Sequence, residues 1–168
     1  EFIISHMGHL NEGRNLKSLI PLQKAGYQMI VVGSSSTPKD SIGPASIKQE
    51  LIDEGIVVLD GYIENIEEIY QLSDAYIFPV VAKTGSIGMP LSVMEARACG
   101  IPVITTDFGS LKHFLDDDNG NIYYAHPEDF LRVVKQIERE NQSIRLKTKV
   151  HQLNKMYLDI IHNAINKS

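Results

Sequence analysis

Thr84-Gly-Ser-Ile-Gly-Met-Pro-Leu-Ser-Val-Met-Glu-Ala-Arg-Ala-Cys-Gly-Ile-Pro-Val-Ile-Thr-Thr-Asp107 decides how the rest of the chain is read. A Gly/Ser loop opens into a short helix predicted over Leu91 to Cys99. Gly100 stops it, and after Pro102 comes an apolar strand, Val103 to Thr105. A loop that feeds a helix N-terminus aims unpaired backbone N–H groups, and the positive end of the helix dipole, at whatever lies in front of them. Phosphate is the usual occupant. Gly85 and Gly88 let a ligand approach the backbone, and Pro90 suits the first helical position because its missing N–H would be unpaired there anyway. Glu95 falls one turn into the helix, and helical side chains lean toward the N-terminus. Its carboxylate is therefore placed to accept hydrogen bonds from the hydroxyls of a group held at the loop. The same spacing also fits a solvent-facing glutamate behind a plain loop, and short glycine-rich stretches alone do not separate the two.

The chain has 168 residues, 43% of them hydrophobic and 22% charged, which is enough for one globular domain with a buried core. We expect a single domain over 1–168. Its net charge of -5 provides no general basic footprint for nucleic acid or an anionic membrane. No apolar run approaches the ~18 residues of a membrane span, and no signal peptide stands at the start. Cys99, the single cysteine, lies in an Ala-Cys-Gly context and reads as a small buried hydrophobe. These features predict a soluble, cytoplasmic domain. The chain starts directly in an apolar segment without Met, so it reads as a piece of a longer polypeptide.

Working outward, Glu1 to Met7 reads as a strand. The loop Gly8 to Asn15 follows, then a helix over Leu16 to Ala25 closed by Gly26. Met29 to Val32 is a second strand, and Ala45 to Asp53 a helix ended by Gly55. Ile56 to Leu59 is the third strand, Ile66 to Leu72 a helix with acidic residues in or before its first turn, and Ala75 to Phe78 the fourth strand. Val103 to Thr105 is the fifth, and Asn121 to Tyr124 the sixth. Helices over Glu128 to Glu140 and from about Ile144 to Ile165 complete the chain. Short apolar strands alternating with helices mean an α/β fold, a Rossmann-like doubly wound parallel sheet of about six strands. Ligands in such sheets bind beyond the carboxyl ends of the strands, where the topology reverses. The glycine-marked exits at 8, 33, 61 and 85 to 88 all lie on that edge.

The stretch from Gly88 to Asp107 resembles the signature of the retaining nucleotide-sugar glycosyltransferases of family 4, in the C-terminal, donor-binding half of the GT-B fold. The resemblance continues in order through Met7-Gly-His-Leu10 with Arg14-Asn15, Val31-Val-Gly33, Leu59-Asp-Gly-Tyr62, Leu72-Ser-Asp-Ala-Tyr-Ile-Phe-Pro79, Phe108-Gly-Ser-Leu111 and Asp118-Asn-Gly120. It implies transfer of a sugar from a nucleoside diphosphate sugar to an acceptor. Glu95 would hold the donor's ribose hydroxyls, and Arg14 would contact the diphosphate beside Gly8 and His9 in the first loop. Ser86, Ile87, Gly88, Met89, Pro90 and Leu91 would line the phosphates and donor sugar, and Tyr62 would border the base. No cofactor and no metal are implied, with Arg14 and the helix N-terminus offsetting charge on the leaving diphosphate. The acceptor would bind an N-terminal domain absent from this chain, through which the whole protein could also lie peripherally on a membrane. This half alone would bind without turning over.

Two positions depart from the family pattern. Ile87 stands where a second glutamate usually contacts the donor sugar, and His9 where an arginine follows the glycine of the first loop. A non-catalytic sugar-nucleotide-binding or interaction module derived from a transferase therefore remains an alternative. A flavodoxin-like signalling domain fits the strand count but lacks an acidic cluster at the exit of the first strand. Asp116 to Asp118 reads as a solvated turn rather than a metal site. His113, His126, His151 and His162 read as surface or helix residues.

Overall fold

The computed structural model describes residues 2–34, 43–61, 63–81, 86, 88–115 and 121–143. The chain divides into two compact units, Glu1–Val134 and Lys135–Ser168. In the second, residues 135–143 are helical. The Gln136 side-chain amide donates to Glu140 at 2.9 Å on the helix surface.

The first unit holds a parallel sheet. Its strands are β1 (Ile3–His9), β2 (Gln28–Ser34), β3 (Val57–Asp60), β4 (Ala75–Phe78), β5 (Val103–Thr105) and β6 (Ile122–Tyr124). They lie in the order β3-β2-β1-β4-β5-β6, and every pairing is parallel. Winding therefore proceeds outward from β1 to one edge, then restarts at β4 and proceeds to the other. The reversal between β1 and β4 is the Rossmann switch point. The expected α/β class, strand number and double winding are all present.

The connecting helices are α1 (Ile20–Lys24), α2 (Gly43–Asp53), α3 (Ile66–Leu72), α4 (Leu91–Ala98) and α5 (Leu111–Phe114). α1 packs on β2 and α2 on β3, whereas α3 packs on β1 and α4 on β4 and β5. Side chains alternate across a strand, so β2 sends Ile30 and Val32 into a cluster with Tyr70, Val93, Ala96 and Leu111, and turns Met29 and Val31 to the other face. β4 is buried along its whole length, as a central parallel strand covered on both sides must be.

Two expectations need correction, and one short helix was not foreseen. The helix read over Leu16 to Ala25 is a 3-10 turn, Leu16–Leu19, followed by α1. Pro21 explains the break. It cannot donate to the preceding turn, so the α-helix starts afresh with proline in its first positions. The first helical residue of α4 is Leu91, with Pro90 one place earlier at the N-cap, at φ -69° and ψ 125°. Its extended ψ keeps it outside the helix. α5 was not anticipated, since four residues are too few to show a helical period. The helix expected over 144 to 165 lies outside the described residues, as do Tyr62, Gly85, Ile87, Asp116 to Asp118, His151 and His162.

Candidate functional site

Three elements meet at the carboxyl ends of β1 and β4. The first is the loop that leaves β1, which folds into a 3-10 turn, Glu12–Arg14, and ends at Asn15. Asn15 has φ 54° and ψ 34°, in the left-handed region. Asparagine tolerates that conformation better than most residues, and its side chain secures it here by donating to the Pro79 carbonyl at 3.1 Å. The Asn15 carbonyl in turn accepts from the Ser18 hydroxyl at 2.7 Å. The exit of β1 is thus tied to the exit of β4, and Arg14 is fixed on the switch-point side.

Arg14 is half-buried, with its guanidinium carbon 5.9 Å from the centroid of the Phe78 ring. Burial draws its pKa below the ordinary arginine value. Its Nε–H has no hydrogen-bond partner among the described residues. Gly8 lies alongside. A Cβ at Gly8 would stand 3.2 Å from Arg14 Nη1 and 3.1 Å from His6 Nε2, so glycine is what lets these two side chains approach the backbone. His9 is exposed on the same edge.

The second element is the segment before α4. Gly88 is exposed, Met89 and Ser86 are partly buried, Pro90 is buried and Leu91 is 69% exposed. Proline has no side-chain acceptor, so no N-cap side chain covers the first N–H groups of α4. The segment is held from behind. Ser110 N donates to the Gly88 carbonyl at 3.1 Å, and Gly109, at φ 59°, lies so close that a Cβ there would come within 2.6 Å of that oxygen. This gives a physical role to Phe108-Gly-Ser-Leu111. Its glycine lets the loop after β5 press against the loop before α4.

The third element is a hydroxyl network beneath α4. Tyr70, on α3, is 1% exposed, and its hydroxyl lies 2.9 Å from Glu95 Oε2 and 3.2 Å from the Ser92 carbonyl. Tyr76, on β4, is fully buried, with its hydroxyl 2.8 Å from Ser92 Oγ. Burial raises the pKa of both phenols, so both remain protonated donors at ordinary pH. The Glu95 side chain itself stays exposed. One carboxylate oxygen is therefore held by Tyr70 while the residue still faces solvent one turn behind the N-terminus.

The chain thus brings Gly8, Arg14, the Gly88-to-Leu91 segment and Glu95 to one edge of the sheet. Residues 5–140 match the family described as glycosyl transferases, group 1. The chain belongs to that family. Group 1 glycosyltransferases carry out sugar transfer, and the α/β sheet of this member is shared with solved GT-B enzymes. Anabaena HepE in complex with UDP is similar over 86% of this chain and 40% of its own, at 16% identity and TM-score 0.66. An α,α-trehalose-phosphate synthase (UDP-forming) from Burkholderia vietnamiensis is similar over 83% of this chain and 37% of its own, at 15% identity and TM-score 0.61. The catalytic domain of a Helicobacter pylori cholesterol-α-glucosyltransferase is covered over 93% of its chain, at 16% identity and TM-score 0.59. This chain spans about 40% of the length of HepE. No curated protein matches it in sequence.

Sequence reasoning missed Tyr70 and His6, and quoted Asn15 in the first loop without its tie to Pro79. A polar residue inside the apolar strand run Ile3-Ile4-Ser5-His6-Met7 was the available signal for His6. His113 and His126 are exposed, as expected. His126 Nδ1 stands 3.6 Å from a Glu128 carboxylate oxygen. A separate cleft of about 350 Å³ lies over the ends of β4, β5 and β6, lined by Val81, Thr106, Asp107, Lys112, Tyr124 and His126. It shares the ligand edge but lies away from the switch point, where the donors and the carboxylate converge. Among the described residues no group of three or more His, Cys, Asp or Glu is placed to hold a metal ion. No described helix is long and apolar enough to cross a membrane.

Proposed function

We propose that this group 1 glycosyltransferase chain is the donor-binding half of a retaining enzyme of family 4 that takes a nucleoside diphosphate sugar. The observation that carries the reading is the convergence of Arg14 and the uncapped N-terminus of α4 with Glu95, whose Oε2 is held by Tyr70. Backbone N–H groups and a guanidinium suit a diphosphate, and an exposed carboxylate one turn behind suits ribose hydroxyls. Gly8, His9, Ser86, Ile87, Met89, Pro90 and Leu91 complete the donor site in this reading, with Tyr62 at the base. The charge that grows on the departing diphosphate is offset by Arg14 and the helix dipole, a role that requires no metal or cofactor. In this reading a second domain supplies the acceptor site. The chain alone then binds donor without transferring sugar, and the whole protein works in the cytoplasm, in glycan biosynthesis.

Calorimetry with UDP, GDP and ADP and the matching nucleosides tests this. Arg14→Ala is expected to weaken one diphosphate by about ten-fold or more, as for loss of a charged hydrogen bond, with little effect on its nucleoside. Parallel losses for both ligands would remove Arg14 from the diphosphate site. Ile87 favours a second reading, a binding module without transfer, because an isoleucine cannot accept a sugar hydroxyl's hydrogen bond.

A further inference from the structure

His6 lies in β1 and plays no part in the donor contacts above. It is fully buried, stacked on Tyr76 with ring centroids 6.2 Å apart and an interplanar angle of 13°, and it also faces Phe78. Its Nδ1 is 2.9 Å from the Ile77 carbonyl oxygen. A carbonyl only accepts, so Nδ1 carries the hydrogen and Nε2 carries a lone pair. Burial lowers its pKa to about 4, and the nearby Arg14 charge acts in the same sense, so the ring is neutral at ordinary pH. Nε2 is thus a buried acceptor, and it has no partner among the described residues.

A guanidinium with a deficit of its own borders the same glycine. Arg14 Nε–H is also buried without a partner, and His6 Nε2 and Arg14 Nη1 both border the small space above Gly8, at 3.1 Å and 3.2 Å from where a Cβ would stand. Leaving a buried polar group unpaired is costly, so a buried acceptor and a guanidinium short of a partner at the same glycine are driven to pair. No Cβ stands between them at Gly8, so a small rotation of the arginine can join them.

We propose that His6 is a positioning residue for Arg14: its Nε2 lone pair accepts one guanidinium N–H, which leaves the outer N–H groups directed past Gly8 at the ligand edge. The phosphate-facing half of this statement rests on the donor-binding reading, but the His6–Arg14 pairing does not. An imidazole fixed by a backbone carbonyl on one side orients what it touches on the other, as an outer partner does for a catalytic ligand.

The test has a ligand-free arm and a binding arm. Nitrogen-15 spectra of the histidine side chains are recorded for the parent and for Arg14→Met, a change at a half-buried position that leaves His6 in place. The expected result is a neutral Nδ1–H ring in both, with the Nε2 resonance moving when the guanidinium is removed. An Nε2 resonance that is the same in both proteins overturns the pairing, whatever the protein binds. In the binding arm, His6→Phe and His6→Gln are titrated with UDP, GDP and ADP and their nucleosides, in the parent and in Arg14→Ala. His6→Phe is expected to weaken the diphosphate about five- to ten-fold, to spare the nucleoside and to add nothing once Arg14 is gone; His6→Gln, which keeps an acceptor, should recover part of the loss. Equal losses for nucleoside and diphosphate, or full additivity with Arg14→Ala, contradict the proposal. If the parent binds no diphosphate, the donor-binding reading fails and the nitrogen spectra alone decide the pairing.

Discussion

Tyr70→Phe isolates how the protein presents Glu95. The substitution removes a single oxygen and leaves the buried ring, which packs in the main cluster and lies 5.7 Å from the Tyr76 ring. Two contacts disappear, at 2.9 Å to the carboxylate and 3.2 Å to the Ser92 carbonyl, but a phenol has one proton, so at full strength only one hydrogen bond is lost. Hydrogen bonds to charged groups are worth about 1.5–3 kcal/mol, and exposure of Glu95 lets water replace the partner, which moves the figure to about 1 kcal/mol of folding stability. The effect on nucleoside binding should match it. A carboxylate free to rotate must be ordered by the ligand, which costs about 0.5–1.5 kcal/mol, or up to about ten-fold in affinity. Urea unfolding measures the first quantity and calorimetry with nucleosides the second. If affinity is unchanged while stability falls, Tyr70 only supports the fold and Glu95 is not oriented for a ligand.

Three further outcomes follow from the same contacts. Gly109→Ala places a Cβ within 2.6 Å of the Gly88 carbonyl oxygen at φ 59°, so we expect a loss of about 1–3 kcal/mol by urea unfolding and weaker diphosphate binding as the segment before α4 shifts; an unperturbed variant would show that the two loops move apart freely. His6 has its pKa lowered from 6.5 to about 4, so the unfolded chain binds more protons, and its contribution is complete above about pH 6.5 and lost as pH falls toward 4. At about 1.4 kcal/mol per pH unit this amounts to about 3 kcal/mol, measured as the difference between parent and His6→Phe in stability against pH, and parallel curves would rule it out. Ile87→Glu should make calorimetry distinguish a sugar nucleotide from its bare diphosphate by about ten-fold or more, where the parent binds both within a few-fold. A parent that already prefers the sugar conjugate would show that other groups hold the sugar.

What the sequence revealed followed local rules. α3, β4 and β5 have the expected bounds, because each is a short apolar or amphipathic run between clear stops. α1 was misread because apolar periodicity through Leu16 to Ala25 outweighed the proline inside it. Glu95 was read from its spacing behind a glycine loop and Arg14 from the family resemblance of the first loop, and the structure places both on the ligand edge of the sheet. Their supports were not legible. Tyr70 is 25 residues from Glu95, Asn15 is 64 from Pro79, and Gly109 meets Gly88 only once β4 and β5 are paired. No one-dimensional pattern records contacts created by the crossover. His6 itself was visible as a polar residue in an apolar strand run, but its surroundings were not: the Ile77 carbonyl it meets is 71 residues away.

Glu95→Gln, titrated by calorimetry with a nucleoside diphosphate that the parent binds, tests the central claim most directly. The change keeps the size of the side chain and removes the charge that would accept ribose hydroxyls, with Tyr70 still in place beneath it. The account predicts a loss of about 1.5–3 kcal/mol, roughly ten- to a hundred-fold, with unfolding in urea changed far less. Equal affinity in the variant and the parent would contradict it, because the carboxylate that Tyr70 holds behind the α4 N-terminus would then face no ligand.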